Sequence, residues 1–436
     1  MKLYNDTPFA VSCRSSILEP NQPFLSVVVK GTFLIEPGGT VLPLPSDEQE
    51  KPSQAVAHMD EHGNALKTDN DMSPFKPRAD CLLIGSGHAP EGRAVRVLGV
   101  TFGVGEMRKT LTLHGDRYWV RTADGAAVLT EPEPFVELPV REEYAHGGPA
   151  SKHNRHGIGF AELGPDAGAR VKAANVMDTS IGTLPWNKDV PSAGFGAVSS
   201  DAKTRRALAG TYDNDWLYRR RPLPPRDFDP AFFNAARPDQ QVDGYLRGDE
   251  ETFLENLHPS VPVLQTRLPG LAVRCFVHRI ADLRQPDVFE FSEIITNLDT
   301  CIVDVPEGTV TLIWRGTLST VSKKHERIHN MLVVQEPLNQ PKSREDYDTL
   351  LHTRMAPSAR RQKAAEEAVA VEAKVKDLNV RGLEEILKTL RDGNAPEELI
   401  AEVEKQDSVD GALKVMTDHL EAVGQALPGY KALPAD

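Results

Sequence analysis

Residues 81–113 read CLLIGSGHAPEGRAVRVLGVTFGVGEMRKTLTL, and the fold class turns on whether this stretch is a nucleotide loop or a set of strands. The apolar run Cys81-Leu82-Leu83-Ile84 leading into Gly85-Ser86-Gly87 looks like the end of a first Rossmann strand. A G-x-G-x-x-G loop, however, needs glycine where Pro90 stands, and a helix must follow so that its first N–H groups can hold a pyrophosphate. Residues 94–104 instead alternate Val95, Val97, Gly99 and Thr101 with Arg96, Leu98, Val100, Phe102 and Val104, a period of two that suits a strand. The run from Gly105 to Thr110 lacks a glycine directly before Lys109, so its backbone cannot wrap a phosphate as a Walker loop does. Met107, Lys109, Leu111 and Leu113 set against Arg108, Thr110, Thr112 and His114 again have period two. What remains is a strand-and-turn scaffold, which points toward a binding protein.

Bulk properties narrow the class. A chain of 436 residues can hold two or more domains, or one large β domain with an appendage. Hydrophobic content of 40% and charged content of 26% are those of a soluble globular protein. No segment offers the roughly eighteen uninterrupted apolar residues of a membrane helix. The start MKLYNDTP has no charged-then-apolar signal pattern, which predicts a cytoplasmic protein. Cys13, Cys81, Cys275 and Cys301 are scattered without a C-x-x-C pair, which argues against zinc ribbons and disulfide frameworks and for small core residues. A net charge of −13 disfavours nucleic acid as a ligand. The dense basic spots are Arg219-Arg220-Arg221 and residues 203–206. The plain reading of both is a solvated face, but the three arginines are also candidates for a partner contact.

Along the chain, the predicted architecture is mainly β (α+β): a large antiparallel β-rich region with long loops, then a helical extension. Residues 1–340 form the β-rich part, divisible into two β subdomains, 1–145 and 260–340, bridged by a loop-rich segment 146–260. Residues 24–35 are a β-branched run closed by Pro37-Gly38-Gly39. Residues 111–113, 118–122 and 127–129 make a meander, and Asp124-Gly125 suits its tight turn. Residues 40–75 read as a long loop or flap. The irregular bridge should be pinned by Trp186, Trp216, Phe228, Phe232 and Phe233. The β pattern returns over residues 271–280, 288–295, 301–305 and 310–314. From Ser343, which forms a capping box with Asp346, the pattern turns helical to about residue 427. Residues 358–379 read as a long exposed helix. Leu383, Ile386, Leu387 and Leu390 fall at i, i+3, i+4 and i+7, an apolar stripe expected either to pack in a small bundle or to dock on a partner. Leu413, Met416 and Leu420 share a face of the last helix.

Candidate chemical sites are sparse. His146, His153 and His156 form the densest histidine cluster, but they sit among loop residues without the framed spacing that zinc requires, so loop hydrogen bonding is the expectation. His58 and His62 around Asp60 carry the same reading. Asp69 and Asp71 begin a calcium-like pattern that lacks the loop glycine and the distal glutamate. No nucleophile elbow or catalytic-cysteine context is present. No metal, cofactor or catalytic residue is expected.

Longer stretches carry more information: residues 69–90 (DNDMSPFKPRADCLLIGSGHAP), 115–119 (GDRYW), 133–149 (EPFVELPVREEYAHGGP), 154–160, and DFDPAFFNAARPDQQ with YLRGDEETFLENLHP inside 227–259. They resemble a family catalogued as a domain of unknown function that accompanies bacterial type VI secretion genes, whose members are regarded as adaptors or chaperones for secreted effectors. The resemblance covers most of residues 1–335 loosely and the quoted stretches closely. It implies a cytoplasmic protein that holds a secreted effector and helps load it onto the valine-glycine-repeat (VgrG-type) spike with its PAAR-type tip. It brings no catalytic residues. Asp80, Asp116, Arg117 and Trp119 lie within these stretches and are expected to serve the scaffold. The tail from Ala359 departs from the family pattern. The rival classes are a hydrolase with a histidine- and aspartate-lined cleft, and a structural component that travels with the spike.

Overall fold

A computed structural model describes residues 1–61, 63–182, 184–280, 289–320, 327–355 and 379–426. The chain divides into two compact units, Met1–Leu351 and His352–Asp436. The first is built on three sheets. The largest runs, strand by strand, Gln241–Val242, Ala79–Ile84, Thr296–Asp304, Thr309–Ser319, Pro23–Leu34 and Ala10–Ile17, with Leu42–Pro43 added beside Pro23–Leu34. The second runs Val176–Asp178, Met107–His114, Val97–Val104, Glu251–Glu255 and Val263–Arg267. The third joins Lys2–Asp6, Arg327–Pro337, Leu271–Ile280 and Phe289–Ile294. Most pairings are antiparallel, but Ala79–Ile84 lies parallel to Thr296–Asp304 and Lys2–Asp6 lies parallel to Arg327–Pro337. Parallel neighbours need a long crossover. The whole second sheet and its loops fill the one between Ile84 and Thr296.

The anticipated split into β subdomains 1–145 and 260–340 does not survive this topology. Pro23–Leu34 pairs along its length with Thr309–Ser319, and Ala79–Ile84 pairs with Thr296–Asp304. Either segment alone would leave rows of backbone N–H and C=O groups without ladder partners.

Period-two patterning sorts the central sheet into two chemically distinct faces. Leu25, Val27, Val29 and Phe33 join Cys81, Leu83, Cys301, Val303, Leu312 and Trp314 in one core shared with the other two sheets. The opposite face is buried as well and is mixed: beside Val28, Leu82, Ile302 and Ile313 it carries the polar and charged groups Lys30, Asp80, Thr300 and Arg315. Lys76 donates to Asp80 at 2.7 Å and to the Thr300 hydroxyl at 2.9 Å. Thr300 in turn donates to Asp299, which also takes the Arg315 guanidinium. Arg315 reaches the backbone carbonyl of Asp71 at 2.9 Å, and Lys30 reaches the Asp71 carboxylate at 3.1 Å. A bulge between Leu298 and Thr300 lets Asp299 and Thr300 join the same face.

The glycines of the near-miss motifs have structural reasons. Gly105, with φ +58°, turns the hairpin that pairs Val104 with Met107. A Cβ on Gly87 would stand 2.2 Å from the Leu113 side chain, so this glycine permits close packing of neighbouring strands and not a phosphate.

The helical part begins at the predicted cap: at the start of Arg344–Met355 the Asp346 N–H donates to Ser343 Oγ, and the Ser343 N–H and hydroxyl donate to the Asp346 carboxylate. In the second unit, residues 379–392 are helical, followed by Glu397–Val403 and Val409–Ala426. The long helix expected over 358–379 falls, but for its last residue, outside the described residues.

Because Asp80 and Lys76 are both buried, removing one charge strands the other. Asp80→Ala should therefore lower unfolding stability by about 3–5 kcal/mol. Urea denaturation followed by tryptophan fluorescence measures this, and a shift within error would refute the central role given to the pair.

Candidate functional site

The second sheet ends on the short strand Val176–Asp178, and beside that edge lies a cavity of about 600 Å³. This falls in the range of small-molecule and side-chain pockets. Its apolar wall includes Val176, Met177, Ile181, Leu184, Ala193 and Pro238, and Ile181 stands exposed. The turns over residues 230–241 contribute Asn234, Arg237, Asp239 and Gln241 to the same lining. Arg237 holds these turns in place by donating to the carbonyls of Ser192 and Gly196 at 3.0 Å, and it also binds Glu142. Gln240 is fully buried and donates to the carbonyls of Cys81 and Phe195, which ties the 230–241 turns to the central sheet.

Lys109 is the chemically distinctive member of the lining. Its neighbours on the same strand face, Met107, Leu111 and Leu113, are core residues, and Lys109 is buried with them. Its ammonium group donates to Asp239 and, at 3.0 Å, to Gln240 Oε1. Burial, reinforced by the nearby Arg237 charge, pushes its pKa down to about 8 despite Asp239. A lysine on an apolar strand face was the one sequence signal of this cavity. The pairing partner, Asp239, is 130 residues away, and nothing local announces it.

The histidines take the roles expected of loop residues. His146 is buried with Nε2 2.7 Å from the Lys188 carbonyl, and burial lowers its pKa. His153 lines the cavity with it, whereas His156 is exposed and outside the lining. Asp60 is taken by Arg141 at 2.8 Å beside His58, and His62 lies outside the described residues. Asp69 binds Arg205 and Asp71 binds Lys30, so in both places the protein supplies the cation.

The remaining predicted residues are spread over the unit. Asp80 is buried and accepts from Lys76, Asn234 and the Ala235 N–H. Asp116, half-exposed, accepts from Asn175 and pairs with Lys172 at 2.8 Å. Arg117 is buried with one donation to the Ala174 carbonyl, and Trp119 packs edge-on against Trp186 while donating to the Leu184 carbonyl at 3.2 Å. Trp119 and Trp186 thus brace the loop that carries Leu184.

One of the partner-contact candidates, Arg220, takes a different place from its neighbours. Arg219 and Arg221 are exposed, but Arg220 is buried and clamps Glu19 at 2.7 Å together with the carbonyls of Leu18 and Pro224. It fastens a loop. Of the two roles open to the stripe Leu383, Ile386, Leu387 and Leu390, the helical unit shows packing: all four are half-buried against Leu399, Val403 and Ala412.

Lys109 should titrate at about 8, and the ¹³C resonance of its dimethylated amine should move there while surface lysines stay above it. The unfolded chain keeps this proton up to about 10.5, so between 8 and 10.5 it binds more protons than the folded one. Lys109 should therefore make stability rise with pH across that window, and Lys109→Met should flatten the rise. A Lys109 resonance titrating with the surface lysines would refute this.

No curated protein and no solved structure matches the chain. Residues 21–315 match a family model described as "Uncharacterized protein conserved in bacteria (DUF2169)". That span takes in Pro23–Leu34, Ala79–Ile84 and Thr296–Asp304 of the central sheet and the residues lining the cavity, and it ends at Arg315 within Thr309–Ser319. With well over half its length inside the model, the chain belongs to this family of bacterial proteins.

Proposed function

We propose that this protein is an adaptor or chaperone of type VI secretion, which holds a secreted effector and helps load it onto the valine-glycine-repeat spike and its PAAR-type tip from the cytoplasm. One observation carries the holding role: a cavity of about 600 Å³, mainly apolar, opens beside the edge strand Val176–Asp178. The strand's outer side is bridged by Ala145 at Val176, so the support comes from the socket, which suits an apolar side-chain anchor of another protein. Exposed Ile181 marks the mouth. The family-like stretches at residues 69–90 and 227–259 support the secretion setting; they contribute Asp71, Lys76 and Asp80 to the polar layer and Arg237, Pro238 and Asp239 to the cavity. In this reading the protein's work is recognition.

A second reading, an enzyme, is favoured by Lys109. A lysine of pKa about 8 in an apolar cavity resembles the desolvated amines that serve as bases or nucleophiles.

Affinity purification of the tagged chain from a host with its neighbouring genes intact separates the two. The adaptor reading expects an effector and the spike protein to copurify. Ile181→Glu should cut that capture about tenfold with an unchanged melting curve, as the loss of an apolar anchor would. Lys109→Arg should leave it intact. Capture unaffected by Ile181→Glu would move recognition away from this cavity, and turnover abolished by Lys109→Arg would install the enzyme.

A further inference from the structure

A second cavity, of about 480 Å³, has a different chemistry. Leu66, Val198 and Ala202 give it an apolar floor. Its wall carries Lys152, Arg155, Lys203 and Arg206, all exposed. None of these four cations has a side-chain hydrogen bond or ion pair among the described residues. Of the lining acids, Glu142 is taken by Arg237 and Ser192, which leaves only exposed Asp201. In a chain of net charge −13, four unpaired cations around one concavity are a local inversion of sign.

The frame that holds them is rigid. Buried Asn154 donates to the carbonyls of Glu142 and His146 and accepts from the N–H groups of His156 and Gly157. Asp189 accepts from Ser151 Oγ at 2.6 Å and from the Lys152 N–H at 2.9 Å. The Lys203 N–H donates to the Lys152 carbonyl at 3.0 Å, which joins the two cationic segments. Like charges held together in this way repel, and among the described residues Asp201 is the one free acid of the lining set against them.

The same frame speaks to the class of anion. Phosphate sites of the helix-terminus and backbone-nest type are built on convergent free backbone N–H groups. Here the N–H groups of His153 and Asn154 are spent on Ser151 Oγ, and those of His156 and Gly157 on Asn154 Oδ1. What is left is a ring of side-chain cations over an apolar floor. Building on the adaptor reading, we propose that this cavity receives an acidic segment of the client protein, with carboxylates on Lys152, Arg155, Lys203 and Arg206 and an apolar side chain on the floor.

The test uses the full chain and a fluorescein-labelled peptide, Glu-Glu-Leu-Glu-Glu, in an anisotropy titration. Binding should weaken about tenfold or more as salt is raised from roughly 50 to roughly 300 mM, as exposed charge pairs are screened. It should be lost on substituting Lys152, Arg155, Lys203 and Arg206 together by serine, and the lysine counterpart of the peptide should not bind. Because all four side chains are exposed, a melting curve will verify folding of the variant, and the double variant Lys152→Glu, Arg155→Glu repeats the test with fewer changes. Equal binding to wild type and variants, or none to wild type, overturns the proposal. Pyrophosphate or ATP binding more tightly than the peptide and lost in the same variants also overturns it, in favour of a phosphate ligand. The peptide readout is independent of effector capture. Capture that survives the serine variant refutes this site alone, whereas a wild-type chain that captures no effector refutes the adaptor reading and leaves the peptide titration to decide the site.

Discussion

The Lys76–Asp80 pair sits at the centre of a charged layer buried between the main sheet and the loops that cover it. Such a layer adds little net stability, because desolvating the ions offsets most of their attraction. Its effect is on specificity. Each charged group on the sheet needs one partner at one place, and several of those partners lie on loops: Asp71 for Lys30 and for Arg315, Lys76 and Asn234 for Asp80. An apolar face would have accepted many loop arrangements of similar energy. A face that carries charges leaves a buried ion without a partner in all but one of them, at a cost of several kcal/mol per ion.

That constraint reaches the cavity. Asp80 binds the Asn234 side chain and the Ala235 N–H, which fixes the start of the segment carrying Arg237, Asp239 and Gln240. Gln240 then bonds the main chain of Cys81 on the strand that holds Asp80. The cavity wall is thus fastened twice to one strand of the central sheet, and Lys109 meets Asp239 across the space so defined. Loops positioned by a rigid sheet are where proteins commonly place recognition, and here the means of positioning is electrostatic.

Much of the scaffold was legible residue by residue. The run 271–280 is a strand with those bounds, and 24–35 and 127–129 fall on strands at Pro23–Leu34 and Ala127–Leu129. Apolar alternation and turn residues act locally, so they are visible locally. Glu251–Glu255 and Val263–Arg267 went unread because the side chains they bury include Thr252 and Thr266, which breaks the apolar alternation while the structural alternation persists. Arg220 was misjudged for a related reason. Three consecutive arginines look alike in sequence, but only the middle one points inward to Glu19.

The sequence by itself determined the class of the chain: a β-rich body with a helical end, glycines that serve strands and turns, and four dispersed cysteines that are all free. These follow from periodicity, turn chemistry and spacing, which involve residues only a few positions apart. The tertiary structure alone decided that strands over 200 residues apart share a sheet, that one face of it carries buried charges, and that Lys109 and four unpaired cations line separate cavities. Those outcomes depend on which distant partner satisfies each ladder and each buried ion, and a single sequence does not specify partners across such distances.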